Sequence, residues 1–309
     1  MRHLVSILIA VVASLIGSVA LWIGGGRTLY EISRWGAEAA FTPFLLVAVL
    51  GAVLLGAAAF SIRFSPAGVL VVGGFTVLMT LLLVAFPNDP IRGVASPFTA
   101  VIVSLNRIDP ALTMGIINYL SFGPAALIGF AFLGAGLVAR VRRATAVWRV
   151  LSAVGGVLAI GFALGAILVG GEFYRASFVM LQASLLAAAG LVVTALLFGL
   201  ALAPSGRSSI GAWVAGGVLT VIGIVVLLAP PASYSVLPRE LLYTLSTVGW
   251  SGMVLAVGVT LLGLALGVTL RRPVDATVPP AAPAASSEPA VVPPPYVPPA
   301  AEPASGASV

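Results

Sequence analysis

The sequence predicts an all-α protein, a polytopic bundle of transmembrane helices followed by a proline-rich tail. Hydrophobic residues make up 60% of the 309 residues and charged residues only 8%, whereas soluble domains carry about 25% charged residues. The mean hydropathy is +1.17. Eight uncharged apolar stretches are long enough for a helix to cross a bilayer. We therefore expect a transmembrane domain over residues 1–272 and a disordered tail over residues 273–309.

The eight predicted spans are continuously apolar, which is typical of helices and not of barrel strands. They cover residues 4–24, 42–60, 66–86, 119–139, 150–170, 178–202, 210–229 and 247–270. Asp109 and Pro110 match an N-cap followed by proline at the first helical position, so a helix is expected to begin there, ahead of the fourth apolar stretch. The first stretch is longer than the apolar region of a cleaved signal peptide, so we expect it to be retained.

Arginine placement predicts the orientation, because basic residues near the spans prefer the cytoplasmic side. Nine of the fifteen arginines fall on the side of both termini and six on the other. Both termini are therefore predicted to be cytoplasmic in a multi-pass protein of the plasma membrane. Almost all of the six external arginines lie near acids in the sequence, as in Arg107 with Asp109 and Arg175 with Glu172. The cytoplasmic arginines lack acidic neighbours up to Asp275, so we expect them to contact anionic lipid headgroups.

An internal repeat is visible in the spans. Residues 63–87 align without gaps to residues 207–231 at an offset of 144, with eight of 25 positions identical, among them Arg63/Arg207 and Gly73/Gly217. A duplication would give two halves, 1–143 and 144–272, each with four spans and the same topology, related by an axis along the membrane normal. The alternative is a match by composition between two helices rich in Leu, Val and Ala.

The composition excludes several kinds of chemistry. The chain has no cysteine and one histidine, His3 beside the N-terminus, so thiolate sites and an intramembrane Ser-His pair are excluded. No Asp, Glu, Arg or His lies within a predicted span, and such groups mark most intramembrane proton and ion pathways. We expect no metal, no cofactor and no catalytic residue, and an enzyme is the weaker expectation. Nucleic acid is not an expected partner.

A few residues remain as candidate contacts for a ligand or partner. Gln182 is the polar residue of the spans best placed to line a cavity, and charged pairs in the external loops are the candidates outside them. Tyr296 ends a Pro-Pro-Pro-Tyr segment, a pattern that docks in aromatic grooves, although a solvated spacer is the alternative. These candidates are Gln182, Glu31, Arg34, Asp89, Arg92 and Tyr296.

Three further expectations concern packing. Gly161 with Gly165 and Gly263 with Gly267 have the small-residue spacing at which helices approach closely. The five tryptophans fall near the predicted interfaces, where they would anchor the spans and bind no ligand. The segment 98–105, in the long external loop 87–118, is apolar enough to lie on the outer interface.

The tail holds eleven of the 22 prolines, so it cannot build a core. The use of arginine in place of lysine, with abundant Ala, Gly, Val and Pro, is typical of a GC-rich bacterial genome. The sequence favours a non-enzymatic scaffold or accessory subunit of the bacterial cell envelope. The alternative is a permease for a neutral or lipophilic solute, without coupling through intramembrane carboxylates. A water-filled cavity between the halves would favour the permease, and a solid core with an exposed lateral groove would favour the scaffold.

Overall fold

The all-helical class is confirmed for the part of the chain that the structure describes. The structure is a computed structural model that describes residues 1–35, 43–85, 97–139, 145–180, 182, 184–228 and 239–271. These ranges contain eleven α-helices and no strand. The helices are α1 (Arg2–Trp35), α2 (Pro43–Phe60), α3 (Ala67–Ala85), α4 (Pro97–Ile108), α5 (Pro110–Ser121), α6 (Pro124–Val138), α7 (Ala146–Tyr174), α8 (Leu185–Leu202), α9 (Ile210–Leu228), α10 (Arg239–Trp250) and α11 (Met253–Thr269).

Six of the described helices, α1, α2, α3, α7, α8 and α9, are long and apolar enough to cross a membrane on their own. The helices α5, α6, α10 and α11 are each too short to cross a membrane alone. The pairs α5–α6 and α10–α11 pass the same test when each pair is taken together, with bends of 49° and 59° between their helices. The chain is therefore a multi-pass integral membrane protein. Its described spans number six, or eight if each bent pair is one span.

The predicted fourth and eighth spans are each interrupted by a left-handed glycine, which corrects the expectation of continuous helices over 119–139 and 247–270. Gly123 has φ of +97° and precedes α6, while Gly252 has φ of +71° and precedes α11. Pro124 at the start of α6 would also clash with the preceding turn of a continuous helix. Both breaks lie within apolar sequence, so the hydrophobic pattern does not show them.

Two other helix starts can be compared with the expectation. The Asp109 carboxylate accepts hydrogen bonds from the backbone N–H groups of Ala111 and Leu112, and Pro110 follows at the first position of α5, so the predicted N-cap is confirmed. The predicted span 178–202 begins too early. Residues 175–179 instead extend α7 as a π-helical turn, and α8 starts only at Leu185, with Ser184 as its N-cap.

The bundle has two ends, which we name the His3 end and the Arg27 end. At the His3 end, His3 Nδ1 lies 2.7 Å from Ser65 Oγ, and Arg271 donates to the Ala139 carbonyl at the end of α6. At the Arg27 end, Gly26 of α1 lies directly against Ala111 at the start of α5. The α5–α6 pair therefore runs from the Arg27 end to the His3 end, and it changes direction at Gly123.

Contacts in the first half of the described chain recur in the second half. Helix α1 packs on α2 and α3, and α7 packs on α8 and α9; likewise α3 packs on α6, and α9 packs on α11. Across the halves, α2 packs on α11 and α8 packs on α6.

The two halves also resemble each other in the glycines at which their helices meet. Gly263 of α11 lies against the backbone oxygen of Gly56 of α2, and Gly134 of α6 lies against that of Gly199 of α8. Gly56 and Gly199 are 143 residues apart, one residue less than the offset of the sequence alignment, whereas Gly134 and Gly263 are 129 residues apart. At the offset of 143 Gly74 corresponds to Gly217, and neither has a neighbour within 4 Å of the position of a Cβ.

A pair of serines holds the His3 end in the same way in each half. Ser6 of α1 donates to the Ser65 carbonyl over 2.7 Å, in the turn before α3. Ser152 of α7 donates to the Ser208 carbonyl over 2.6 Å, in the turn before α9. Because both serines are fully buried and bonded, each fixes a three-helix junction instead of offering a free hydroxyl.

Candidate functional site

A lateral groove of about 560 Å³ lies within the first half of the bundle. Residues of α1, from Val11 to Trp22, form one wall, and residues of α3, from Val71 to Met79, form the facing wall. Leu55 of α2 and Ile128 of α6 lie at its floor, and both are buried. All of its lining therefore comes from the first half, and none from the contact between the halves.

The rim of the groove faces outward. Leu15 is 63% exposed and Phe75 is 60% exposed, on opposite walls. Exposed apolar side chains on a membrane-spanning helix lie against lipid. The groove is consequently open toward the surrounding bilayer.

The groove is closed at both of its ends by helix contacts. Toward the Arg27 end, Gly115 of α5 packs directly on the backbone of Trp22, and the Tyr119 ring meets the Trp22 ring edge-on, with 6.0 Å between ring centroids. Toward the His3 end, Gly68 of α3 packs directly on the backbone of Ser6. These contacts bound the groove on both sides, so it occupies the middle of α1.

The polar groups that line the groove are mostly satisfied within the bundle. Ser14 donates to the Val11 carbonyl over 3.1 Å and Thr76 to the Val72 carbonyl over 2.8 Å. Ser18 is a hydrogen-bond partner of the Tyr119 hydroxyl. Ser14 and Thr76 thus bond back to their own helices, which leaves an apolar surface for a ligand.

Unpartnered polar atoms cluster along α5 instead. Asn118 is 1% exposed, and neither its amide nitrogen nor its amide oxygen has a hydrogen-bond partner among the described residues. Ser121, one turn later, also has an unpartnered buried hydroxyl in the described structure. Burying a polar group without a partner costs about 1–3 kcal/mol by mutational measures. The segment just before the Gly123 break therefore carries unused hydrogen-bonding capacity.

An ion pair joins α1 to α5 at the Arg27 end. Arg27 donates to the Asp109 carboxylate over 2.8 Å, so the expected partner of Asp109, Arg107, is wrong. Burial alone would raise the pKa of Asp109. The hydrogen bond from Arg27, two backbone N–H groups and the positive charge of Arg27 outweigh burial and hold that pKa below its usual value of 3.8. The expected pair Arg175–Glu172 is confirmed at 2.9 Å.

The structure describes three of the six predicted contact residues, Gln182, Glu31 and Arg34. Gln182 is exposed and lies between α7 and α8, outside any helix, where its backbone N–H donates to the Ala176 carbonyl. It is therefore not a residue of a span, because α8 begins later than expected. Arg34 lies over the Tyr30 ring, 5.1 Å from the ring centroid, and Glu31 is half-buried one turn before it. Asp89, Arg92 and Tyr296 lie outside the described residues.

Only one of the two predicted small-residue faces is used for packing. Gly263 and Gly267 lie against the backbone of Gly56 and Phe60, as expected. Gly161 has no neighbour within 4 Å of its Cβ position, and Gly165 has only the Thr194 methyl carbon at 4.0 Å, so this face makes no close backbone contact in the described structure. The two faces have the same spacing, and only the position of the neighbouring helix distinguishes them.

Sequence reasoning also missed the place of Trp22. It was expected to anchor the bundle at the interface, but it lines the groove, and its indole nitrogen is buried without a partner in the described structure. The segment 98–105, which was expected to lie on the outer interface, is part of α4.

No protein-family model, curated protein or solved structure matches this chain. Its function is therefore inferred from the groove, the helix breaks and the contacts between the halves.

Proposed function

We propose that the chain is a non-enzymatic scaffold or accessory subunit of the bacterial cell envelope, built as a rigid bundle of eight spans. The observation that carries this proposal is the combination of glycine-tight contacts between the halves with a groove that lies entirely in one half. A transporter of the alternating-access kind works by moving one half against the other. Backbone-to-backbone contacts at glycine leave little freedom for such movement, because interfaces this close are densely packed.

The recurrence of helix contacts in the two halves supports a 4+4 architecture with parallel halves. In that architecture each bent pair crosses the membrane once, so both termini share a side. The bend at Gly123, the bend at Gly252 and the matched contacts Gly56–Gly263 and Gly199–Gly134 are its supporting observations.

The arginine pattern supports placing the His3 end in the cytoplasm, against anionic headgroups. Several of the described arginines there also lie over aromatic rings. The Arg207 guanidinium lies 3.8 Å from the centroid of the Trp148 ring, and that of Arg63 lies 5.8 Å from the centroid of the Phe60 ring. Such pairs hold the cation at the depth of an interfacial aromatic residue, where lipid phosphate lies. Envelope protein partners would use the remaining surfaces or the tail with Tyr296.

Distance measurements by electron paramagnetic resonance test the rigidity on which this proposal depends. Because the chain has no cysteine, spin labels can be placed at Phe64 and Trp213 across the His3 end, and at Asn106 and Met180 across the Arg27 end. Phe64 with Leu137 is the control pair within one half. In lipid vesicles we expect one narrow distance distribution for all three pairs. Two populations for the inter-half pairs alone, with one end opening as the other closes, would overturn the proposal.

A permease for a neutral or lipophilic solute is the second candidate, favoured by Asn118 and Ser121 beside the break in α5–α6. Transporters bind substrates at broken helices between repeats, where freed polar groups line the site. Glu31 of α1 and Glu172 of α7 lie near the ends of their helices, and the apolar middles of the described spans contain no acid, so such a permease would work without proton or sodium coupling. Uptake of a solute into vesicles that is lost in Asn118→Leu, but kept in the surface variant Leu137→Ala, would establish this function instead.

A further inference from the structure

The groove is long enough and has volume enough for a single hydrocarbon chain. Its α1 wall runs from Val11 to Trp22, which at 1.5 Å per residue is about 16 Å. An extended alkyl chain, whose neighbours lie about 4 Å away, has a cross-section of roughly 20 Å² and fills about 320 Å³ over that length. The groove volume of about 560 Å³ therefore accommodates one such chain.

The position of the groove restricts what can reach it. Helix α1 spans the bundle from His3 to Arg27, and Leu15 on the groove rim lies about halfway between them. In a membrane this depth is the hydrocarbon core, about 15 Å from either headgroup layer. Both ends of the groove are closed, by Gly115 on Trp22 and by Gly68 on Ser6. A ligand must therefore enter sideways, from the acyl-chain region of the bilayer.

We propose that the groove between α1 and α3 is a binding site for one acyl chain of a membrane lipid, taken laterally from the bilayer. The apolar floor at Leu55 and Ile128 contacts the chain, while Leu15 and Phe75 flank it at the mouth. The hydroxyls of Ser14 and Thr76 are bonded to their own helices, so they present mainly their carbon atoms to the chain. This site depends on the membrane location of the bundle and not on whether the protein is a scaffold or a permease.

Trp22 makes the site measurable, because it lines the groove and its fluorescence is quenched by bromine in contact with the ring. The test uses the full chain with Trp35, Trp148, Trp213 and Trp250 replaced by Phe, in vesicles of phospholipid brominated at the middle of one acyl chain. Thr76→Phe fills the groove from α3. Leu78→Phe is the matched control, since Leu78 is exposed on the same helix and does not line the groove.

We expect strong quenching of Trp22 in the parent and in Leu78→Phe, and at least twofold weaker quenching in Thr76→Phe. A second pair on α1, Ser14→Phe against Val12→Phe, repeats the comparison if Thr76→Phe does not fold. Equal quenching in the groove-filling and control variants would overturn the proposal. Absence of quenching in the parent would also overturn it, because the groove would then be closed to lipid or filled by a protein segment.

Discussion

At the scale of single residues, the bundle depends on glycines that lie against another helix. A Cβ at Gly263 would overlap the backbone oxygen of Gly56, whereas a Cβ at Gly161 would meet nothing within 4 Å. The two glycines share a spacing motif and a helical backbone. Replacing each of them by alanine therefore distinguishes the effect of helix propensity on stability from the effect of a lost helix contact.

We expect Gly263→Ala to destabilise the bundle by about 1–3 kcal/mol, because α2 and α11 must move apart to admit a methyl group. Gly161→Ala should be neutral or stabilising by up to ~1 kcal/mol, since alanine is the better helix former. Thermal unfolding in one detergent measures both. If the halves are equivalent, Gly134→Ala should cost about as much as Gly263→Ala. Equal effects of Gly263→Ala and Gly161→Ala would contradict the described contact.

The Arg27–Asp109 pair gives a stability that depends on pH. The pKa of Asp109 is lower in the folded state than its usual 3.8, so the pair contributes fully above that value and is lost as pH falls through the folded-state pKa. Asp109→Asn should cost less than ~1 kcal/mol at pH 7, because the pair is partly exposed and Asn can still cap α5. Above about pH 5 the melting temperatures of parent and variant should differ by a constant amount, and this difference should shrink as the pH falls below about 4 toward the folded-state pKa of Asp109. A difference in melting temperature that does not shrink on acidification would show that the charge of Asp109 is irrelevant.

At the scale of elements, the helix breaks are the main features that the hydrophobic pattern does not show. The apolar stretches locate the helices well because the cost of burying charge in lipid acts on every residue of a span. A break needs only one residue in the left-handed region, and an apolar glycine such as Gly252 resembles the packing glycines in sequence. Pro124 marked the first break in the sequence, but no proline accompanies the second. The late start of α8, and hence the position of Gln182, was missed for the same reason.

The second break can be tested by a substitution that acts on the backbone alone. A Cβ at Gly252 would be 3.4 Å from the Ala48 Cβ, an ordinary contact, so its main cost is the left-handed conformation. We expect Gly252→Ala to destabilise the bundle by about 1–2 kcal/mol. Gly217→Ala, in a helix with open space around it, is the control that should lose nothing in thermal unfolding. An unaffected Gly252→Ala would indicate that α10 and α11 form one continuous helix.

At the scale of the whole molecule, composition alone predicts a membrane protein, and the apolar stretches predict the helices. The groove could not be predicted, because it depends on which faces of α1 and α3 remain apart. The partner of Asp109 could not be predicted either, because Arg27 is 82 residues away in sequence. The position of Arg27 beside Asp109 follows from the contact of Gly26 with α5. The internal repeat stays a prediction, because identities among aliphatic residues carry little information about which helices are in contact.

The claim that each bent pair crosses the membrane is central to the eight-span, two-half account. It is tested most directly by labelling single cysteines in intact cells with a membrane-impermeant maleimide. Asn106 precedes α5 and Thr145 follows α6, and both are exposed. We predict that Asn106→Cys is labelled in intact cells, and that Thr145→Cys is labelled only after the membrane is permeabilised. Labelling of both variants in intact cells would make α5–α6 a re-entrant hairpin and contradict the account.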